Sequence, residues 1–336
     1  MGDKAAARRA ALAADVPLVP GTDVVATLDA ALAAAELVGY PVLVKAAGGG
    51  GGKGIRPAGN SEQLAVAFAE ARREVEAAFG DPSLYLEKAM TNVRHVEVQL
   101  LADADGRVLH LYERDCSIQR RRQKVVEESP APTLSPTART AICEAAVRLA
   151  RSVGYVSAGT VEFLVDGNEN FHFIEMNTRI QVEHGISELI TGVDLVQEQL
   201  KIAFGNALSM TQDEITVTGA AIEIRINAEN SDFHFMGSPG EISACVFPAG
   251  PGVRVDSGVR SGSTVQPYYD SMLAKVMTHG ADRAMALARA KRALAELSID
   301  GVCTTTTFVS DLIEQEWFSG AQYDTTTLES LLSARV

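Results

Sequence analysis

Cysteines are few in this sequence, and long apolar segments are missing. The four cysteines are far apart and form no CxxC pair, which argues against a zinc site and against a disulfide framework. They are Cys116, Cys143, Cys245 and Cys303. No apolar run approaches the roughly 18 residues of a membrane helix, and the residues after Met1 lack the apolar core of a signal peptide. These absences predict a cytoplasmic protein without a membrane partner.

Positive charge is also scarce. The 30 Lys and Arg residues against 43 Asp and Glu residues give a net charge of −13, and this acidic balance argues against nucleic acid as a partner. Four basic residues nevertheless stand together, at Arg120, Arg121, Arg122 and Lys124. Because a local basic cluster suits a small anion better than a polymer, we expect a small anionic ligand here.

The length of 336 residues is enough for two or three packed units. Strands and helices are mixed without regular βαβ alternation, so an α+β fold is favoured over a doubly wound parallel sheet. Helices are predicted over residues 4–14, 27–37, 61–79, 136–153, 186–204 and 281–297, and Gly192 is predicted to interrupt the stretch 186–204. Strands are predicted over residues 42–45, 84–88, 95–101, 108–113, 160–166 and 171–175. Ser61 is the predicted N-cap of its helix, and short strands with glycine turns prevail after about residue 211.

A run of glycines from Gly48 to Gly52, then Lys53 and Gly54, comes directly after the strand at 42–45. Glycine lets backbone N–H groups approach an anion, and a lysine neutralises its charge. The spacing of this run does not match the Walker A motif. A dinucleotide fingerprint must open a helix, and no helix is predicted directly after this run. A glycine flap between two antiparallel strands, lying over ATP phosphates, fits the flanking residues best. A purely structural glycine loop is the alternative.

Glu162 and Glu175 lie in two apolar strands that are predicted to form a hairpin. With a two-residue loop at Asn168-Glu169, the register places the two glutamates directly opposite each other. Like charges in a cross-strand pair repel. A divalent cation would neutralise them, with Asn177 on the same face as a third oxygen ligand. A glutamate paired with arginine, or protonated, is an alternative; a glycosidase carboxylate pair would leave the glycine run unexplained.

The stretch from Glu175 to His184, EMNTRIQVEH, closely resembles the signature of the biotin carboxylases, which are ATP-grasp enzymes. Further segments resemble this family in order and spacing: Lys45 with its glycine run, Glu87-Lys88, Arg94 to Glu97, Glu113 to Ser117, Gln123 to Glu128, Arg225 to Glu229 and Tyr268 to Met272. The resemblance covers nearly the whole chain. It implies an ATP-grasp fold followed by a C-terminal biotin carboxylase domain, and ATP-dependent carboxylation of biotin by bicarbonate through carboxyphosphate.

The resemblance also implies roles for individual residues. The nucleotide would be bound by Lys4, Lys45, Gly51, Gly52, Glu87, Lys88, Met90, His95 and Gln119. Magnesium or manganese would be bound by Glu162, Glu175 and Asn177. Bicarbonate would be held by Lys124, Arg179, Gln181 and Val182. Glu183 would be the general base that deprotonates bicarbonate, and Arg225 would stabilise the biotin enolate. The implied catalytic set is Glu183, Arg179, Lys124 and Arg225.

The family begins with a Rossmann-like domain that has no counterpart in this sequence, and no Met-Lys-Met biotinylation motif is present. We therefore expect a biotin carboxyl carrier protein, a carboxyltransferase and a protein that supplies the N-terminal domain as partners, and a homodimer. Four parts are predicted: a linker helix over 1–16, an ATP-grasp small lobe with the glycine flap over 17–90, a central lobe with the metal and bicarbonate sites over 91–211, and the C-terminal domain over 212–336. Another ATP-grasp carboxylate ligase and a truncated nucleotide-binding relic are the alternatives.

Overall fold

The computed structural model describes Met1, residues 4–47 and residues 55–333. Its α-helices are α1 (Lys4–Ala13), α2 (Leu28–Val38), α3 (Ser61–Phe79), α4 (Pro136–Ser152), α5 (His184–Thr191), α6 (Leu195–Ala203), α7 (Arg283–Glu296), α8 (Thr306–Ile313), α9 (Glu316–Ser319) and α10 (Thr327–Ser333). Its strands are β1 (Val42–Ala46), β2 (Arg56–Ala58), β3 (Leu84–Lys88), β4 (Arg94–Ala102), β5 (Val108–Arg120), β6 (Gln123–Ser129), β7 (Ser157–Val165), β8 (Phe171–Asn177), β9 (Ala220–Asn227), β10 (Glu229–Asn230), β11 (Met236–Gly237), β12 (Gly240–Glu241), β13 (Ala244–Val246), β14 (Val253–Ser257), β15 (Thr264–Val265), β16 (Met272–Gly280) and β17 (Ser298–Asp300).

These elements confirm the α+β class, because strand pairs such as β1–β3 and β7–β8 are antiparallel. Some local predictions are wrong. The N-cap of α3 is Asn60, whose side chain accepts a hydrogen bond from the Gln63 N–H at 2.9 Å, and not Ser61. The predicted interruption at Gly192 is confirmed, since Gly192 ends α5 with a left-handed φ of 72° and α6 follows. Helices α8, α9 and α10 follow where the sequence pattern predicts none.

The chain divides into two compact units. The first comprises residues 1–110, 136–181 and 199–208, and the second comprises residues 111–135, 182–198 and 209–336. The four-part division stated above stays a prediction. In the described part of the chain, no helix is both long and apolar enough to cross a membrane.

In the first unit, a small sheet has the strand order β2-β1-β3. Val42, Val44 and Ala46 alternate along β1 and are buried against α2 and α3. The period of two then turns Lys45 to the opposite face of the sheet, where Tyr85 is its partner on β3. The apolar core thereby fixes a charged side chain on the other face.

In the second unit, five strands follow the order β14-β16-β9-β6-β5. One face is apolar: Val126, Ile224 and Val276 pack with the inner side of α7. On the other face the same alternation presents charged side chains, which are Glu127, Glu223, Arg225 and Lys275. Helix α5 packs on β9 and β16, and its residues Ile186 and Ile190 contact Ala221 and Met277. The charged row therefore lies in a largely buried place.

A buried ion pair ties β6 to the start of α7. Arg283 donates to the Glu128 carboxylate through Nε at 2.6 Å and Nη2 at 2.9 Å, and the Tyr323 hydroxyl donates to the same carboxylate. Arg283 also donates to the Phe318 carbonyl at 2.7 Å. These bonds hold the C-terminal helices that the sequence pattern did not predict.

We expect the substitution Gly185→Ala to lower the free energy of unfolding. A Cβ at Gly185 would lie 2.3 Å from Met277 Sδ, and overpacking of this kind costs about 1–3 kcal/mol. The better helix propensity of alanine offsets up to about 1 kcal/mol of this cost, so we expect a net loss of up to about 2 kcal/mol. Urea denaturation measures the change. Gly258→Ala is the matched control, since its Cβ would meet no described atom within 4 Å; equal stability of both variants would refute the clash.

Candidate active site

The β7–β8 hairpin places Glu162 directly opposite Glu175, which confirms the predicted pairing. The predicted two-residue loop is wrong. The loop has three residues, 167–169, and Glu169 takes a left-handed φ of 64°. This loop shifts the register by one residue, and a bulge next to Glu162 shifts it back. The glutamate pair therefore depends on a bulge as well as on the strand pattern.

Glu162 is buried and receives N–H groups from several directions. Its Oε1 accepts hydrogen bonds from Asn177 Nδ2 and Gln181 Nε2, both at 2.9 Å. Its Oε2 lies 3.0 Å from His95 Nε2. The two hydrogen bonds to Oε1 restrict the orientation of the carboxylate.

A third carboxylate continues this row, and the sequence reasoning assigned it no role. Glu97 on β4 lies directly opposite Glu162 on β7 and is fully buried. His95, Glu97 and Glu162 have ligand atoms within 4.8 Å of one another. The only sequence signal for Glu97 was its alternation with apolar residues along β4, which places it on the same face as His95.

The donor set of the hairpin fits a hard divalent cation. Mg²⁺ prefers carboxylate and amide oxygens, and Glu162 and Glu175 bring two negative charges to one cross-strand pair. Asn177, two residues after Glu175, adds an amide whose Oδ1 accepts from Arg179 Nη2 at 3.3 Å. The assignment of these three residues to magnesium or manganese stays a prediction, supported by the chemistry of the donors.

The Glu87 carboxylate joins two cations in the first unit. Lys45 Nζ donates to Glu87 Oε2, and Arg8 Nη1 donates to Glu87 Oε1 at 2.5 Å. Arg8 also donates to the Val19 carbonyl at 3.1 Å. All three side chains are largely buried. Sequence reasoning singled out Lys45 and Glu87 but missed Arg8, because α1 is far from them in the chain.

The other predicted nucleotide residues are less tightly grouped. Lys4 Nζ lies 3.7 Å from the carboxylate of Glu175 on the β7–β8 hairpin. Lys88 Nζ donates to the carbonyls of residues 39 and 40 at 3.0 and 2.7 Å. Met90 is partly buried, and Gln119 lies in the second unit, where it donates to the Cys116 carbonyl at 2.7 Å. Two further predicted residues lie outside the described part of the chain: Gly51 and Gly52.

In the second unit, Glu183 is the N-cap residue of α5 and is buried. Lys124 Nζ donates to its Oε1, and Arg225 Nη2 donates to its Oε2 at 2.9 Å. Both oxygens of the predicted base therefore contact predicted catalytic cations. These three residues are distant in the chain, and the β6–β9 pairing together with α5 brings them into direct contact.

Two more buried glutamates accompany this trio. Arg225 Nε donates to Glu127 at 2.6 Å, and Glu127 lies directly opposite Glu223. Burial, opposed by Arg225 and reinforced by the Glu183 charge, raises the pKa of Glu127 to about 7. Burial also disfavours the Arg225 cation, but the surrounding carboxylates outweigh this effect and raise its pKa. Arg225 is therefore charged at every accessible pH.

The predicted bicarbonate residues are distributed over both units. Arg179 and Gln181 belong to the first unit, where Arg179 is exposed and donates to the Ile180 carbonyl at 3.1 Å. Val182 and Lys124 belong to the second, and the Val182 carbonyl accepts from Lys275 Nζ. Their common role as a bicarbonate site stays a prediction.

Family models match most of the chain. The model described as "Carbamoyl-phosphate synthase L chain, ATP binding domain" matches residues 3–211, and "Biotin carboxylase C-terminal domain" matches residues 223–330. Biotin carboxylase 1 of Bacillus subtilis is 50% identical over 332 residues, which are 98% of this chain and 74% of that protein.

Solved structures of biotin carboxylases are also similar to this chain. The biotin carboxylase domain dimer of Hydrogenobacter thermophilus 2-oxoglutarate carboxylase, in complex with MgADP, ADP and bicarbonate, matches with a TM-score of 0.96 and 43% identity over 98% of this chain and 73% of that one. A Campylobacter jejuni biotin carboxylase in a β-γ-ATP complex matches with a TM-score of 0.96 and 45% identity, over 98% and 74% of the two chains. These matches confirm the expected ATP-grasp fold with its C-terminal domain. The chain belongs to the biotin carboxylase family of ATP-dependent ligases.

Proposed function

We propose that this chain uses ATP and bicarbonate to carboxylate biotin on a carrier protein. The observation that carries this proposal is the contact of Glu183 with both Lys124 and Arg225. A base next to two cations is what bicarbonate activation needs, because the base takes the proton while the cations offset the charge of the carbonate that is left. The family to which the chain belongs, and the bicarbonate bound in the related Hydrogenobacter structure, support the same reaction.

The reaction then follows from the charges at the site. Bicarbonate gives its proton to Glu183, and the resulting carbonate oxygen attacks the γ-phosphorus as the bond to ADP breaks, which yields carboxyphosphate. Carboxyphosphate separates into CO₂ and phosphate, the phosphate takes the N–H proton of biotin, and the biotin nitrogen attacks CO₂. Arg225 offsets the negative charge on the biotin oxygen during this last step.

We assign the nucleotide and metal to residues of the first unit. Glu162, Glu175 and Asn177 would hold magnesium or manganese, which supplies positive charge to the transferred phosphoryl group. Lys4 and Lys45 would contact the phosphates. The burial of Glu162 among N–H donors supports this assignment, because it keeps one ligand in fixed orientation.

The cleft beside Arg225 is the proposed place for the biotin ring. It is lined by Lys124, Arg225, Asn227, Phe235 and Phe308, among others. Aromatic faces with a few convergent polar groups are typical of small-molecule sites. The residues therefore combine an apolar wall for the ring with the cation proposed to offset its charge.

Partners and location are part of this proposal. A biotin carboxyl carrier protein would deliver biotin, and a carboxyltransferase would use the carboxyl group that biotin receives. A homodimer is expected because the related Hydrogenobacter domain is a dimer. These comparisons do not support a separate partner for an N-terminal domain. The four cysteines, all within the described residues, form no disulfide, which supports a reducing, cytoplasmic location.

The test is ATP cleavage by the full chain, with bicarbonate and biotin added singly and together. We expect cleavage that depends on bicarbonate and carboxybiotin that appears only when all substrates are present. Turnover with another carboxylic acid and none with biotin would point to a different ATP-grasp ligase. Binding of MgADP without any turnover would identify a nucleotide-binding relic.

A further inference from the structure

Glu127 and Glu223 form a cross-strand pair of carboxylates that the proposed reaction does not use. The two residues are directly opposite each other on β6 and β9, and both are fully buried. Within the described residues, both oxygens of Glu223 and Oε2 of Glu127 make no hydrogen bond. Two adjacent negative charges in a buried place are unfavourable, so one of the carboxylates must be neutralised.

The charges around the pair show which carboxylate is ionised. Arg225 Nε donates to Glu127 Oε1 at 2.6 Å, a charge-assisted hydrogen bond that favours the ionised form of Glu127. Lys275 Nζ lies 3.9 Å from the Glu223 carboxylate, and this ammonium is also 3.5 Å from Asp256. Glu127 therefore has a close cation, while Glu223 shares a distant one.

We infer that Glu127 positions Arg225 for biotin carboxylation, and that Glu223 opposite it carries a proton while Glu127 is ionised. This inference rests on the proposed function. With Nε bound to Glu127, the terminal N–H groups of Arg225 are directed to Glu183, where Nη2 donates at 2.9 Å. A protonated Glu223 adds no second negative charge, and its O–H is a donor available to Oε2 of Glu127.

The neighbouring charges agree with a proton on Glu223. Burial raises the pKa of Glu223 well above its ordinary value, and the Glu127 charge raises it further. Lys275 and Arg225 lower this pKa, and Glu183 raises it. Glu127 itself faces two cations, Arg225 and Lys124, and one anion, Glu183. The negative charge of Glu127 is therefore better compensated than a negative charge on Glu223 would be.

Infrared spectroscopy of the full chain tests the proton without any turnover. At about pH 8, well above the ordinary pKa of glutamate, the chain should show the carbonyl band of a buried carboxylic acid. Glu223→Gln should remove this band, and Glu128→Gln, which changes the next glutamate on β6 but on the other face, should leave it. Absence of the band from the parent chain, or its persistence in Glu223→Gln, would overturn the inference even if the chain carboxylates biotin.

The pH dependence of unfolding gives a second readout of the same proton. The folded chain would bind the proton of Glu223 more tightly than the unfolded chain, so its stabilising effect is present at low pH and is lost as the pH rises through the folded-state pKa. Relative to Glu223→Gln, the unfolding equilibrium constant of the parent should increase about tenfold per pH unit above about pH 5. A difference that does not change with pH would contradict the inference.

The positioning role of Glu127 is tested by kinetics. We expect Glu127→Gln to lower kcat for biotin carboxylation about 100-fold, which is what a small misplacement of a catalytic group costs. KM for ATP should stay within about threefold, because the proposed nucleotide residues of the first unit are unchanged. Glu127→Asp keeps the charge and should recover part of the lost kcat. A parental kcat in Glu127→Gln, or an equal loss in both variants, would refute the role.

Discussion

Glu183→Gln is expected to abolish bicarbonate-dependent turnover and to leave MgATP affinity nearly unchanged. Glutamine keeps the size of the side chain, but its single amide oxygen can accept from only one of Lys124 and Arg225, and it cannot take a proton from bicarbonate. The loss of a general base costs about 10²- to 10⁴-fold in rate. The residues proposed to bind metal and nucleotide phosphates belong to the first unit, whereas Glu183 belongs to the second. ATP cleavage with bicarbonate and MgADP titration calorimetry measure the two quantities.

A matched control is available on the same helix. Glu188 on α5 forms an ion pair with Arg254 at 2.6 Å and has no proposed role in the reaction, so Glu188→Gln tests the effect of removing one negative charge from this helix. We expect its turnover to stay within about threefold of the parent. A large fall in MgADP affinity for Glu183→Gln would contradict the assigned role, because a base that acts on bicarbonate alone does not hold the nucleotide.

The sequence predicted the pairing of Glu162 with Glu175 correctly, although it predicted the wrong loop between their strands. A two-residue loop would have produced the pairing directly, whereas the chain uses a three-residue loop and a bulge that compensates for it. Burial of apolar residues on one face permits only even shifts of register. The apolar pattern of both strands therefore restricted Glu162 and Glu175 to one face, even though the loop was misjudged.

Other site residues were beyond the reach of sequence patterns. Arg8 contacts Glu87, and Glu97 lies opposite Glu162, only because separate strands and helices pack together. Glu127 and Glu223 are almost 100 residues apart, and their pairing follows from the neighbouring positions of β6 and β9 in the sheet. Periodicity tells on which face a residue lies, but it does not tell which strand is its neighbour.

The C-terminal helices show a related limit. Helices α8, α9 and α10 are short, and isolated helices of this length have little intrinsic stability. They are held by tertiary contacts: Phe308, Phe318 and Leu328 are buried in the core of the second unit, and Arg283 binds the Phe318 carbonyl. Local sequence signals are weak where packing supplies most of the stability.

Glu162→Gln should weaken MgADP binding at least about 100-fold. Loss of an outer-shell partner of a metal ligand already costs about 10- to 100-fold, and here a proposed ligand itself loses its charge. The change also places a glutamine amide N–H₂ among the N–H groups of Asn177 and Gln181, which now donate to Glu162. One of these buried donors then loses its acceptor, which costs about 1–3 kcal/mol. Calorimetric titration with ADP, with and without magnesium, measures the affinity.

The metal dependence separates a ligand from a merely structural residue. If Glu162 binds the metal, Glu162→Gln reduces affinity for MgADP but leaves the weaker binding of metal-free ADP unchanged, and Glu175→Gln behaves in the same way. Glu169→Gln, in the loop of the same hairpin, serves as the control and should bind MgADP like the parent. An equal loss for ADP with and without magnesium would show that Glu162 only supports the fold of the hairpin, because a metal ligand affects the nucleotide through the metal it holds.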